Sequence, residues 1–152
     1  MTITVGTSSG NKAVNAITVG TSSGNKAVLN AWVGTSSGNK LIFTAFSVSL
    51  SHTNSSGAGA GVSSISVTTS PAITVNVSGG SGSYSYAWRR VSGDTQVNVD
   101  NPSSATTAAT VTVPPNTLYS AVFVCDVTDT VLGVTETTGQ ATFTAEHIGS
   151  GA

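Results

Sequence analysis

The chain has 152 residues, a formal net charge of −1 and only 7% charged side chains, against the roughly 25% of an ordinary soluble domain. That length allows one domain and an appendage. So few charges argue against a nucleic-acid partner, which needs a dense basic face with interleaved aromatics. No stretch approaches the roughly 18 apolar residues of a membrane-spanning helix, so no membrane insertion is expected. Met1 runs into Thr-Ile-Thr-Val without the basic and apolar parts of a secretory leader. Cys125 is the single cysteine, which excludes an intramolecular disulfide and fits synthesis in a reducing cytoplasm. Val, Thr and Ile predominate without a helical period, which predicts an all-β chain.

The first predicted elements are repeats. Val-Gly-Thr-Ser-Ser-Gly-Asn-Lys occurs three times, at Val5–Lys12, Val19–Lys26 and Val33–Lys40, each copy 14 residues after the last. So short a period suits one small β-hairpin per copy. Gly10-Asn11, Gly24-Asn25 and Gly38-Asn39 are the expected two-residue loops, because a tight hairpin turn needs residues that tolerate φ > 0. A Gly/Ser linker is the competing reading, disfavoured because Ile17, Val28, Trp32, Ile42 and Phe46 recur between the turns. The fourteenth residue changes from Thr18 to Trp32 to Phe46, so apolar bulk grows toward the second part. One hairpin cannot bury enough surface to stand alone. Residues 1–46 are therefore expected to dock or oligomerise through Val5, Lys12, Val19, Lys26, Trp32, Val33 and Lys40, with Trp32 covering the junction.

Residues 47–152 read as a sandwich of short strands with polar turns. Phe46-Val48-Leu50 alternates, and Asn54–Gly61 is expected to be a Ser/Gly/Ala loop. Ile65-Val67, Ile73-Val75-Val77, Tyr84-Tyr86-Trp88, Val97-Val99, Ala109-Val111-Val113, Tyr119 to Val127 and Ala141-Phe143-Ala145 each keep a period of two, as half-buried strands do. Tyr84 and Tyr86 share a face with Trp88, which assigns them to the core rather than to a sugar-stacking platform.

Few groups offer chemistry. Nucleophilic catalysis needs a base beside a serine, threonine or cysteine and an acid to orient it. His52 and His147 lie near Ser/Asn and Gly/Ser segments and are expected to be solvated. Cys125 falls mid-strand on the apolar face, where a small thiol is inert. Asp126, Asp129 and Glu136 lack the dense Asp/Asn loop of a calcium site, and the expectation is a solvated turn. Arg89 and Arg90 are expected to be surface or ion-pairing residues, Arg90 on the inward side with its head in water. No enzyme, cofactor or metal is expected.

Two resemblances add to this. Val75-Asn-Val77-Ser-Gly-Gly-Ser-Gly-Ser-Tyr84-Ser-Tyr86-Ala-Trp88 and Val122-Phe-Val-Cys125-Asp-Val127-Thr-Asp129 resemble bacterial and phage immunoglobulin-like domains. The resemblance implies that Trp88 is the core tryptophan packed against Cys125. Val75 or Val77 then fills the partner position, and Phe123 stands where the family carries its corner tyrosine. The tandem Val-Gly-x-x-x-Gly-x-Lys units resemble repeats in tailed-phage structural proteins. Together they imply a virion protein, made in the host cytoplasm and carried in the particle. Capsid decoration is expected first, a tail tip, tail tube or fibre component second. The implied partners are other capsid or tail proteins and copies of the chain itself, as a trimer. A different class of reading is a carbohydrate-binding or adhesin module that touches host-surface glycans through loops such as Asn54–Gly61.

Overall fold

The computed structural model describes the backbone of residues 18–21, 24–27, 30–35 and 38–44, and residues 46–149 in full. Every regular element among them is a strand. The chain divides into two units, Met1–Ala45 and Phe46–Ala152.

In the first unit β1 (Thr18–Thr21) pairs antiparallel with β2 (Gly24–Ala27), and β3 (Asn30–Thr35) with β4 (Gly38–Thr44). The register corrects the expected turns. Val19 lies opposite Lys26, Gly20 opposite Asn25 and Thr21 opposite Gly24. The third copy repeats this with Val33 opposite Lys40, Gly34 opposite Asn39 and Thr35 opposite Gly38. Gly24-Asn25 and Gly38-Asn39 are thus ladder residues, and each pairing is centred two residues earlier than the expected loop. The centred register pairs the repeat with itself and uses its β-branched Val and Thr as one whole strand, where such residues fit best. A loop at Gly-Asn would instead give the valine a partner outside the repeat. Gly10-Asn11, Val5 and Lys12 lie outside the described residues.

The second unit contains β5 (Phe46–Leu50), β6 (Asn54–Gly61), β7 (Ile65–Thr68), β8 (Ile73–Gly79), β9 (Tyr84–Gly93), β10 (Thr106–Thr107), β11 (Thr110–Val113), β12 (Thr117–Asp129), β13 (Val134–Thr137) and β14 (Ala141–Gly149). One layer holds the sheet β10-β8-β5 and the pair β11-β7. The other is built on β12, with β9 along one edge and β14 then β13 along the other; β6 lies outside β14. All these pairings are antiparallel except β6 with β14, which is parallel. This is an immunoglobulin-like sandwich.

Alternation decides which side of each strand is buried. In β11, Val111 and Val113 are buried while Thr110 and Thr112 are exposed. In β8, Ile73 and Val75 turn inward. The core closes around Ile73, Val97, Val113, Cys125, Val127 and Phe143, all completely buried, each large apolar side chain contributing about 1.5–3 kcal/mol. Phe143 meets Phe123 and Trp88 edge-on, at 5.7 and 6.3 Å between ring centres, the arrangement aromatic quadrupoles favour.

Two further expectations are corrected. Asn54–Gly61 is strand β6, not a loop. Its register with β14 points Gly57 and Gly59 at β7, where a Cβ on Gly57 would sit 2.6 Å from the Thr68 carbonyl and one on Gly59 would strike Ile65. The glycines let two backbones approach closely, and an alternation made of glycine carries no hydrophobic signal. Val97 and Val99 do not form a strand either: Val99 makes only an isolated bridge to Ala109, and Val97 is buried from a turn.

Candidate functional site

The repeats present the first candidate site. Both described hairpins place a lysine directly across from a valine at the same step from the turn. Lys26 and Lys40 therefore occupy equivalent ladder positions, 14 residues apart. The third-copy hairpin is longer. After an irregularity between Ala31 and Trp32, it continues to Ala31 opposite Phe43 and Asn30 opposite Thr44, with Trp32 opposite Leu41. Lys12, Lys26 and Lys40 are the unit's ionisable side chains, with no acid before Asp94.

In the sandwich, the residues singled out for the core come together. Cys125 lies across from Trp88 in the β9–β12 ladder; it is completely buried, Trp88 is 6% exposed, and the indole Nε1 donates to the Ser104 carbonyl at 2.9 Å. Val75 and Phe123 are buried, and Val77 packs partly buried against the same cluster. Burial pushes the Cys125 thiol up to about 11, outweighing a hydrogen bond to the backbone of Ala87 that lowers it. Such a thiol is not a nucleophile near neutrality. Tyr84 and Tyr86 also pack against the core. Tyr84 stacks on Phe46, 6.1 Å between centres, and its hydroxyl donates to the Gly79 carbonyl.

The carboxylates are engaged in holding turns. Asp129 is completely buried rather than solvated. One of its oxygens accepts from Ser81 N at 2.6 Å, the other from Ser81 Oγ at 2.6 Å, Val131 N at 3.0 Å and Leu132 N at 2.9 Å. It thereby ties the turn before β9 to the turn after β12. Burial alone would raise this carboxyl, but the hydrogen bonds from Ser81, Leu132 and Val131 prevail and hold it below the usual carboxylate range. Gly80, at φ +74°, passes so close that a Cβ there would lie 2.8 Å from the carboxylate. Asp126 accepts from Arg89 Nε at 2.7 Å and from Thr137 Oγ1 at 2.6 Å. These bonds lower its carboxyl and raise the Arg89 guanidinium. The pair is surface-exposed and contributes little to stability. Among the described residues no group of three or more His, Cys, Asp or Glu side chains could hold a metal ion.

Arg90 and His147 depart from expectation. Arg90 is half-buried and makes no ion pair among the described residues. Its guanidinium lies 5.6 Å from the centre of the Phe123 ring and donates to the carbonyls of Thr95 and Val97 and to Asn98 Oδ1. The loop after β9 is thereby gathered over the core edge, a role only the folded loop reveals. His147 is 1% exposed, because it falls on the inward parity of β14 with Ala141, Phe143 and Ala145. That parity was visible in the sequence; the polar tail beside it obscured the signal. His52 is exposed and meets Ser51 Oγ at 3.0 Å. The two histidines lie apart from Cys125 in the hydrogen-bond network, and no nucleophile–base–acid chain is assembled among the described residues.

Asn54–Gly61, one of the loops named for glycan contact, is a strand. No protein-family model and no curated protein matches the chain. In three dimensions it is similar to the PKD domain of human KIAA0319 in its solution structure. The two are 12% identical with a TM-score of 0.38, over 69% of this chain and 86% of that one.

Proposed function

We propose that this chain is a non-enzymatic structural protein of a tailed-phage virion, in which residues 1–46 dock onto another virion protein and the sandwich stands outward as a capsid decoration. One observation carries the reading: in both described copies the two ends of the octapeptide pair antiparallel with each other, setting a valine opposite a lysine at the same position. A module that repeats a contact without assembling chemistry suits attachment to a regular surface. The sandwich supports the same reading. Its buried thiol is inert, and Asp126 and Asp129 are committed to neighbouring turns or strands. The tandem units also resemble repeats of phage structural proteins.

The test is to locate the chain in purified particles by electron microscopy. Density on the capsid lattice is the expected result. Density at the tail tip, tube or fibre would replace decoration with a tail role, and absence from the particle would overturn the proposal.

A further inference from the structure

His147 has no part in that reading, yet its surroundings are specific. It lies in β14 across from Thr117 of β12 and Gly59 of β6. Its ring is held between two main-chain carbonyls: Nδ1 is 3.0 Å from the Val113 oxygen at the end of β11, and Nε2 is 3.1 Å from the Gly61 oxygen at the end of β6. A carbonyl oxygen only accepts, so each ring nitrogen must donate. A neutral imidazole carries one N–H. In either tautomer its second nitrogen would face a carbonyl lone pair with a lone pair of its own, out of reach of water. The doubly protonated ring alone satisfies both oxygens.

We propose that His147 is a proton-operated clamp. With a proton on each nitrogen it ties the ends of β6 and β11 to β14; on losing one it releases one of those ends. The surroundings isolate this behaviour. β6, β7 and β11 carry no ionisable side chain. On β14, Glu146 is adjacent but faces the opposite side of the sheet. On β12 the ionisable residues are Tyr119, Cys125, Asp126 and Asp129, of which Tyr119 is the nearest along the strand, paired with Ala145. The carboxylate on the ring's face of β12, Asp129, lies twelve positions along the strand from Thr117, so it is the two carbonyl dipoles that meet the ring's positive charge. By linkage, a folded state that binds a proton the unfolded chain releases loses stability as pH rises.

The experiment uses the full chain. Nitrogen-15 spectra of the histidine rings at pH 5.5 should show both His147 nitrogens protonated, with His52 as the exposed internal reference. Thermal unfolding of the parent should fall by about 4–8 °C from pH 5.5 to 8, the shift expected when a domain of this size loses one buried hydrogen bond. In His147→Gln that slope should vanish. A ring carrying a single proton at pH 5.5, or a parent melting temperature flat across the range, would overturn the proposal. The ring spectra need no variant, so they decide the matter even where His147→Gln fails to fold.

Discussion

At the residue scale, the large effects come from groups whose partners are all inside the protein. Trp88 fills the core against Phe143 and spends its one N–H on Ser104. Trp88→Ala should therefore destabilise the sandwich by about 3–5 kcal/mol, read from urea unfolding. Cys125 is buried and unpaired, so reductant should leave thermal unfolding unchanged. A thiol reagent should label it only at the rate of global opening, and rapid labelling of the native protein would contradict its burial. Asp129 combines complete burial with four hydrogen bonds. Asp129→Ala strands the donors of Ser81, Val131 and Leu132 and should be destabilising by about 3 kcal/mol or more. The pH dependence has a definite sign. A carboxyl held below its ordinary value in the folded state contributes stability that is present above that value and lost as pH falls. Acid titration below about pH 4 should thus weaken the parent more steeply than Asp129→Asn, measured by melting temperature.

At the scale of elements, the hairpin register has a direct chemical test. Val33 and Lys40 face one another in the β3–β4 ladder. A Val33→Cys, Lys40→Cys pair should therefore close a disulfide on mild oxidation, since directly opposed strand positions bring their Cβ atoms within bonding range. The alternative register, with Gly38-Asn39 as the loop, would set position 40 across from Ser37. A Ser37→Cys, Lys40→Cys pair that crosslinked in preference would reject the observed pairing. β6 teaches a complementary lesson about edges. Its glycines bring it against β7 and lay it parallel to β14, so a segment with the composition of a linker completes a sheet.

For the whole molecule, the division of labour predicts separable parts. Deleting residues 1–42 should leave a folded, monomeric sandwich, because the core cluster found among the described residues lies in the second unit. The same truncation should no longer enter particles. Incorporation of the truncated chain would show that docking lies elsewhere. The full chain should self-associate as a trimer in light scattering, since short hairpins leave strand edges unpaired and closed symmetry satisfies such edges without runaway growth. A strict monomer at high concentration would leave attachment to a foreign surface as the hairpins' role.

Local pattern determined much of this protein. Period-two alternation marked β5, β7, β8, β9, β11, β12 and β14, and the same parity placed Val75, Trp88, Phe123 and Cys125 inside, because a strand with one buried face writes its burial directly into the residue order. Repetition of the octapeptide announced the two described hairpins, but not their register. Tertiary structure decided whatever depended on a partner far along the chain. Gly57 and Gly59 became strand residues because β7 comes too close for side chains. Asp129 became a buried pin because Ser81 reaches it across 48 positions of sequence. Arg90 was turned over Phe123 by the carbonyls of a loop. His147 was enclosed by the ends of β6 and β11, 86 and 34 positions away. A polar side chain's environment is set by donors and acceptors that its own neighbourhood in the sequence does not contain, so its role appears only when the fold delivers them.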